Sequence, residues 1–488
     1  MTSLPPMAVV RKHSAFLGLL ALAVAFHFPI FGDALNPDST TYLAVASALA
    51  SRGSLQIETT LVPQHPPLMA LLLTPFGLVF GFNEISVHLL ELVAFVILLC
   101  LTYAMSRRFG SPFALVPSVL LSLDPVLYLN MSDGRSVSVL MTFALATLYA
   151  IWRGLNDSRW LVVAAVVSSL SYMTADSVGY LFPIAGVVGL AWRFHYVRWR
   201  VFRDAWYLSA IAIFSGTVLV WTGYNVASNG TPYTDPRVVG YLDRFLGSTA
   251  LDIQILLIGG FLVYFTAYLA QNLLPFLALG EARSTLKSLP SIVFRDQRIG
   301  AMALFAVLAV IVSALLSSAF VLYEPLRSLA YADTYLRYAA VVAPITCLGV
   351  GMLARRCGRT GNKWLVALAV AIIILGIQFV PQTIQRDRSG AWFEALQNDL
   401  LKRNITSAYS DIAVYLRYNG VGVAFLSVDK GYSSPTVNIS ATDVPPGSAL
   451  LTFIYAPFRF DERIEGLYLI RHFDPATDSP FVNLYYRS

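Results

Sequence analysis

Charge is scarce in this chain. Of 488 residues only 13% are Asp, Glu, Lys or Arg, roughly half the share of a soluble globular domain, while 57% are hydrophobic. That balance excludes an ordinary soluble fold. Cysteine is scarcer still: Cys100, Cys347 and Cys357 all lie in or beside apolar runs, so no disulfide framework is implied. No P-loop, dinucleotide-binding glycine motif, CxxC or HExxH occurs, and there is no internal repeat or low-complexity tract. The short alternating strands of a β-barrel are missing as well.

What the chain has instead is long apolar runs. Those at Ser14–Phe31, Ile85–Met105, Pro112–Leu129, Ser136–Trp152, Trp160–Met173, Val178–Trp192, Ala205–Val226, Ile253–Leu279, Gly300–Leu322, Leu336–Leu353 and Trp364–Val380 each approach the length that crosses a hydrocarbon core of about 30 Å. The expected fold is therefore an all-α polytopic membrane protein with about eleven transmembrane helices. Arg11, Lys12 and His13 precede the first run, but no clean small-residue cleavage site follows it, so we read it as a retained signal anchor. Pro66–Phe82 is apolar but short, and it carries Pro66, Pro67 and Pro75.

Loop charge sets the expected topology. The net charge of +6 is concentrated in short loops, which is the positive-inside pattern and not a nucleic-acid patch. With the N-terminus cytoplasmic and Pro66–Phe82 lying along the interface, every strongly basic loop falls inside: Arg107-Arg108, Arg153–Arg159, Arg193–Arg203, Glu281–Arg298 and Arg355–Lys363. If Pro66–Phe82 crosses, all of these loops change sides. An interfacial or re-entrant helix in the first external loop is the better reading. Residues 1–381 then form the transmembrane domain. Residues 382–488 form a small extracytoplasmic α/β domain, with an amphipathic helix at Trp392–Arg403 and strand-like runs at Val421–Val428, Ala449–Tyr455 and Leu467–His472.

On the external side the sequence offers few groups for chemistry. Asp38 follows Pro37 and opens a helix-like segment, Asp38–Arg52. It either caps that helix or serves as a general base or acceptor-positioning carboxylate at the water–membrane boundary. Asp133, between Ser132 and Gly134, offers a second carboxylate on the next external loop, and it too has a capping alternative. Asp124, beside Pro125, is a weaker candidate, lying deeper or in a turn. His65 precedes Pro66-Pro67 at headgroup level, where a lipid phosphate would lie. Asp176 sits in the tight turn Thr174–Ser177, a common turn position. Arg337 and Tyr338 open the tenth run from outside. The guanidinium there either snorkels or clamps a phosphate with its planar fork of donors.

Taken together these residues resemble the GT-C glycosyltransferases, polytopic enzymes that use polyprenyl-phosphate-linked sugars and include protein O-mannosyltransferases and aminoarabinose transferases. The shared pattern is an acid at the start of the first external loop with a Tyr four residues on (Asp38, Tyr42), a His-Pro-Pro-Leu stretch (His65 to Leu68), an Asp on the second external loop (Asp133), and Arg-Tyr ahead of a Pro-containing late span (Arg337, Tyr338, Pro344). The chain departs from it at Ser39, where a second acid often stands, and at Asp176, in a turn where relatives often carry Lys.

The resemblance implies an inverting transfer from a lipid-phosphate sugar donor to a lipid, glycan or protein acceptor. Asp38 would be the base and Asp133 the second acid. His65, Arg337 and Tyr338 would lie at the donor phosphate, and Tyr42 and Asp176 would position substrate. The resemblance fixes no cofactor. A divalent metal, Mg or Mn, shared by Asp38 and Asp133 is a second option, though two carboxylates without His ligands make a weak site. The rival classes are a transporter or lipid flippase, which would place ionisable groups or broken helices at mid-membrane, and a non-catalytic scaffold for the external domain.

Overall fold

The computed structural model describes residues 6–32, 35, 37–55, 66–132, 134–174, 181–229, 242–243, 245–279, 287, 296–323, 342–357, 362–386, 391–405, 407–410, 424–427, 446, 448–453, 468–473 and 482–486. Fifteen helices of seven residues or more are named here among them. They are α1 Pro6–His27, α2 Pro37–Arg52, α3 Leu68–Phe80, α4 Glu84–Ser106, α5 Val116–Ser122, α6 Pro125–Ser132, α7 Val137–Gly154, α8 Arg159–Tyr172, α9 Leu181–Val197, α10 Ala205–Asn229, α11 Leu251–Leu277, α12 Gln297–Tyr323, α13 Ala343–Cys357, α14 Lys363–Arg386 and α15 Ala391–Lys402.

Helix occupies each of the eleven apolar runs, yet fewer than eleven qualify as spans. Among the described residues six helices are long and apolar enough to cross a membrane, or seven if one bent pair counts as a single span. α8 has 14 residues. At about 1.5 Å per residue it falls well short of a core about 30 Å thick. One face of it is buried among other helices, at Leu161, Ala164 and Ala165, while Val163 and Val166 on the other are exposed. Apolar runs count residues that avoid water, and a short helix packed inside a bundle avoids water as well as one facing lipid does.

The run Pro112–Leu129 is the second correction, because it is not one helix. α5 and α6 meet at 46° across Leu123 and Asp124. Asp124 makes the break. Its Oδ1 accepts from the backbone N–H groups of Val126 (3.0 Å) and Leu127 (2.9 Å), the N-cap arrangement, and Pro125 supplies a first helical residue that needs no donor partner. Its Oδ2 accepts from the Tyr268 hydroxyl of α11 at 2.6 Å, and the carboxylate is only 1% exposed. Tyr268→Phe should therefore lower stability by about 1–2 kcal/mol, because it removes a charge-assisted bond that is already satisfied in the bundle. The check is the thermal midpoint in detergent, which should fall; an unchanged midpoint would remove this bond as a support of the bend.

In lipid, burying apolar side chains does not by itself drive helices together; close packing and interhelical hydrogen bonds do. The α4–α7 pair shows both. Ser138 of α7 donates its hydroxyl hydrogen bond to the Glu91 carboxylate of α4. Thr142 Oγ1 lies 2.8 Å from the Ala94 carbonyl. This pair runs through the large core, which includes Phe95, Leu98, Met141 and Leu148 and reaches Phe276 of α11, Phe305 of α12 and Cys347 of α13. A separate core joins α2 and α3 to the start of α4 through Tyr42, Leu43, Met69, Leu73, Val87 and Leu90. α3 therefore lies on protein, with Met69, Ala70, Leu73 and Gly77 buried. Its 13 residues are too few to cross, in line with the interfacial reading.

After α14 the described residues build α15 and five strands: β1 Ser407–Ser410, β2 Ala424–Ser427, β3 Ala449–Phe453, β4 Tyr468–Phe473 and β5 Val482–Tyr486. The sheet order is β2-β1-β3-β5-β4, with β1 parallel to β2 and β3, and β5 antiparallel to β3 and β4. Leu396 and Leu400 of α15 are fully buried, as are Ala408, Leu450, Leu451 and Leu484 of the sheet. β2, β3 and β4 fall on the three strand-like runs of the sequence. β1 does not, because Ser-Ala-Tyr-Ser has too little apolar content to mark a central strand.

Candidate active site

The backbone of Asp38 stands in the first turn of α2. The side chain of Asp38, and His65, Asp133, Asp176, Arg337 and Tyr338 entirely, lie outside the described residues. The residues that flank them are described, and they meet.

Ser39 and Gly134 form the first meeting. The Ser39 hydroxyl donates to the Gly134 carbonyl at 2.7 Å, across 95 positions of sequence, and Ser39 is fully buried. The chain leaves α6 through a Schellman closure: Gly134 N–H donates to the Met131 carbonyl (3.0 Å) and Arg135 N–H to the Asn130 carbonyl (2.9 Å). Gly134 is left-handed, with φ +69°. A Cβ there would meet Val87 Cγ1 at 2.7 Å, Leu35 Cδ2 at 2.8 Å and Ser39 Oγ at 3.2 Å. Both conformation and space require glycine. Ser39 is thus explained where the family resemblance expects a second acid. The position needs a buried donor, and an ionised carboxylate could not donate to a carbonyl.

Leu68 and Met173 form the second meeting. Leu68 N–H at the head of α3 donates to the Met173 carbonyl at the end of α8 at 2.9 Å. Pro66 and Pro67 are buried beside it, as is Thr174. The chain next to His65 and the chain next to Asp176 are joined at this bond. α2 and α3 share one core with Val87, in the first turn of α4, so both meetings gather at the same end of the bundle. On the far side Pro344 and Ile345 of α13 line a small apolar pocket with Met141, Ala144 and Leu145 of α7 and Phe305 of α12. That sets the start of α13, the described helix that follows Arg337 and Tyr338, alongside the early turns of α7.

Tyr42 is described in full. It is 4% exposed and packs in the α2–α3–α4 core with Leu43, Leu73 and Val87. From there it holds α2 in place.

The sequence reading passed over two buried polar residues of α4. His88 is fully buried, with Nδ1 3.3 Å from the Met131 carbonyl and its ring edge-on to Phe31. Glu91, one turn further, is fully buried against Ser138, and its Oε1 has no hydrogen-bond partner. A signal for Glu91 was available: it is a lone carboxylate inside an otherwise apolar run. No group of three His, Cys, Asp or Glu side chains able to hold a metal occurs among the described residues.

The architecture matches solved structures along nearly its whole length. ArnT from Cupriavidus metallidurans bound to undecaprenyl phosphate aligns over 97% of this chain and 98% of its own, with a TM-score of 0.60 at 12% identity. The chain shares the fold of that protein. The apo structure of the same ArnT gives a TM-score of 0.55 at 13% identity, covering 96% of this chain and 98% of that one. Residues 64–221 match the family of dolichyl-phosphate-mannose-protein mannosyltransferases. That stretch, about a third of the chain, contains Leu68, Gly134 and Met173, though neither Asp38 nor Arg337. No curated protein sequence matches the chain.

Proposed function

We propose that this chain is a GT-C membrane glycosyltransferase. It moves a sugar from a polyprenyl-phosphate-linked donor to a hydroxyl acceptor on the extracytoplasmic side, inverting the anomeric centre, with Asp38 as general base. The observation that carries the reading is the pair of long-range hydrogen bonds, Ser39 to Gly134 and Leu68 to Met173, which draw together the chain on either side of four candidate residues. The family match over residues 64–221 supports a lipid-phosphate sugar donor. The ArnT structure, bound to undecaprenyl phosphate, supports a polyprenyl carrier.

In this reading His65, Arg337 and Tyr338 hold the departing phosphate, where neutralising its charge lowers the barrier most. Asp133 lines the acceptor side opposite Asp38, and Asp176 borders the donor headgroup. The N-terminus is cytoplasmic, and residues 382–488 form an extracytoplasmic domain over the site. The test is transfer by the purified full chain from radiolabelled polyprenyl-phosphate sugars, with nucleotide sugars as the control donors. Turnover of a lipid-linked donor is expected. Turnover of nucleotide sugars alone would overturn the donor assignment.

Among the described residues the features of transporter type are the α5–α6 break and the buried His88 and Glu91 of α4, since broken helices and ionisable groups often frame ion sites. Asp124 gives little support to that reading. Its Oδ1 is committed to two helix N–H groups and its Oδ2 to Tyr268.

A further inference from the structure

The turn between α9 and α10 is the strongest unexplained surface of the molecule. Arg198–Arg203 forms a short 3-10 helix directly before the span Ala205–Ala227. It is rooted by Val201, which is fully buried in a small core with Leu161 of α8 and Tyr207 of α10. Around this root the large side chains point outward. Trp199 is 74% exposed, yet it is held edge-on against Phe194 at 5.2 Å and tilted against Phe202 at 5.7 Å. Phe202 in turn meets the Tyr207 ring edge-on at 6.2 Å. Trp206 is 45% exposed, with the Arg159 guanidinium 5.7 Å from its ring. The result is an aromatic platform fixed in place before any partner arrives.

Its charge is uncompensated. Arg198, Arg200 and Arg203 are all exposed, and none has a carboxylate partner among the described residues. Three arginines of the other basic loops are engaged. Arg108 lies 4.3 Å over Trp152, Arg153 lies 5.1 Å over Trp160, and Arg355 Nη1 donates to the Arg108 carbonyl at 3.1 Å. Asp204, the acid next to the turn, places its Oδ1 3.0 Å from the Trp206 backbone N–H and so caps α10. Three like charges within six residues repel one another, and an anion relieves that repulsion.

We propose that this turn binds the headgroup of an anionic phospholipid from the adjacent leaflet. The chemistry fits at both ends. Guanidinium forks suit phosphodiester oxygens, and Trp rings sit by preference at the boundary between headgroups and acyl chains. A lipid is a better occupant than a free anion because the aromatic platform lies at the foot of a span, where acyl chains begin. The inference does not depend on the glycosyl-transfer reading.

The test is native mass spectrometry of the delipidated full chain, titrated with phosphatidylglycerol and with phosphatidylcholine. Wild type should bind phosphatidylglycerol at least about tenfold more tightly than phosphatidylcholine. At roughly one decade or slightly less for each basic residue near a lipid surface, the triple variant R198Q/R200Q/R203Q should weaken phosphatidylglycerol binding on the order of 100-fold and lose the preference. Trp199→Ala should weaken both lipids alike. The three arginine side chains are exposed, so the thermal midpoint of the triple variant without lipid should match wild type, while that of Trp199→Ala, which loses its ring contacts with Phe194 and Phe202, should fall slightly. Equal binding of the two lipids by wild type, a preference kept in the triple variant, or displacement of phosphatidylglycerol by excess inorganic phosphate would each overturn the proposal.

Discussion

Asp38→Asn should abolish most sugar transfer while leaving the protein folded. The two roles open to Asp38 respond differently to this change. The structure starts α2 at Pro37, so Asp38 is a first-turn residue and not the cap; there an acid only complements the helix dipole, and the thermal midpoint of the Asn variant should hold to within about 1 kcal/mol. As a general base, an amide cannot take up a proton at working pH, and kcat should fall on the order of 10²–10⁴-fold. KM for the lipid donor should move little, because the proposed phosphate contacts come from His65 and Arg337. Asp38→Ala likewise removes no cap and should show the same loss of rate, with stability again within about 1 kcal/mol of wild type. Single-turnover transfer from a labelled lipid-phosphate sugar, beside melting curves, reads both quantities. Full activity in the Asn variant would remove Asp38 as the base.

Much of the architecture could be read from composition because the bilayer imposes it. Every apolar run became helix, since in lipid the backbone has to satisfy its own hydrogen bonds. The number of crossings was less legible. The 14 residues of α8 are apolar on a buried face and on an exposed one, and hydropathy alone does not show that the helix stops short of a full crossing. The break at Asp124 was signalled by Leu-Asp-Pro, an N-cap followed by a first-turn proline, inside a run whose hydropathy concealed it. The site divided in the same way. Asp38 and Asp133 stood out as carboxylates at span ends. Nothing local revealed that Ser39 and Gly134, 95 positions apart, are joined by a hydrogen bond. Tyr42 was chosen by its spacing from Asp38, and it lies in a core that spacing alone could not show.

Gly134→Ala is the second large effect, and it tests whether that junction matters. Alanine at φ +69° costs about 1–2 kcal/mol in backbone strain. Its methyl would stand 2.7 Å from Val87 Cγ1 and 2.8 Å from Leu35 Cδ2, and relieving such overlap in a packed site costs about 1–3 kcal/mol more. The loss should therefore be about 2–5 kcal/mol, read as a lowered thermal midpoint. If the local structure yields instead of unfolding, the Ser39–Gly134 bond is the part that gives way, because Ser39 Oγ is the third atom facing the new methyl, at 3.2 Å. Ser39→Ala separates the two effects. It deletes the same bond without overlap or strain, and should cost about 1–2 kcal/mol for the unpaired buried carbonyl. A rate loss shared by both variants, at a temperature where both remain folded, would tie catalysis to the spacing between the start of α2 and the loop that follows α6. If Ser39→Ala keeps the full wild-type rate, the junction supports the fold alone.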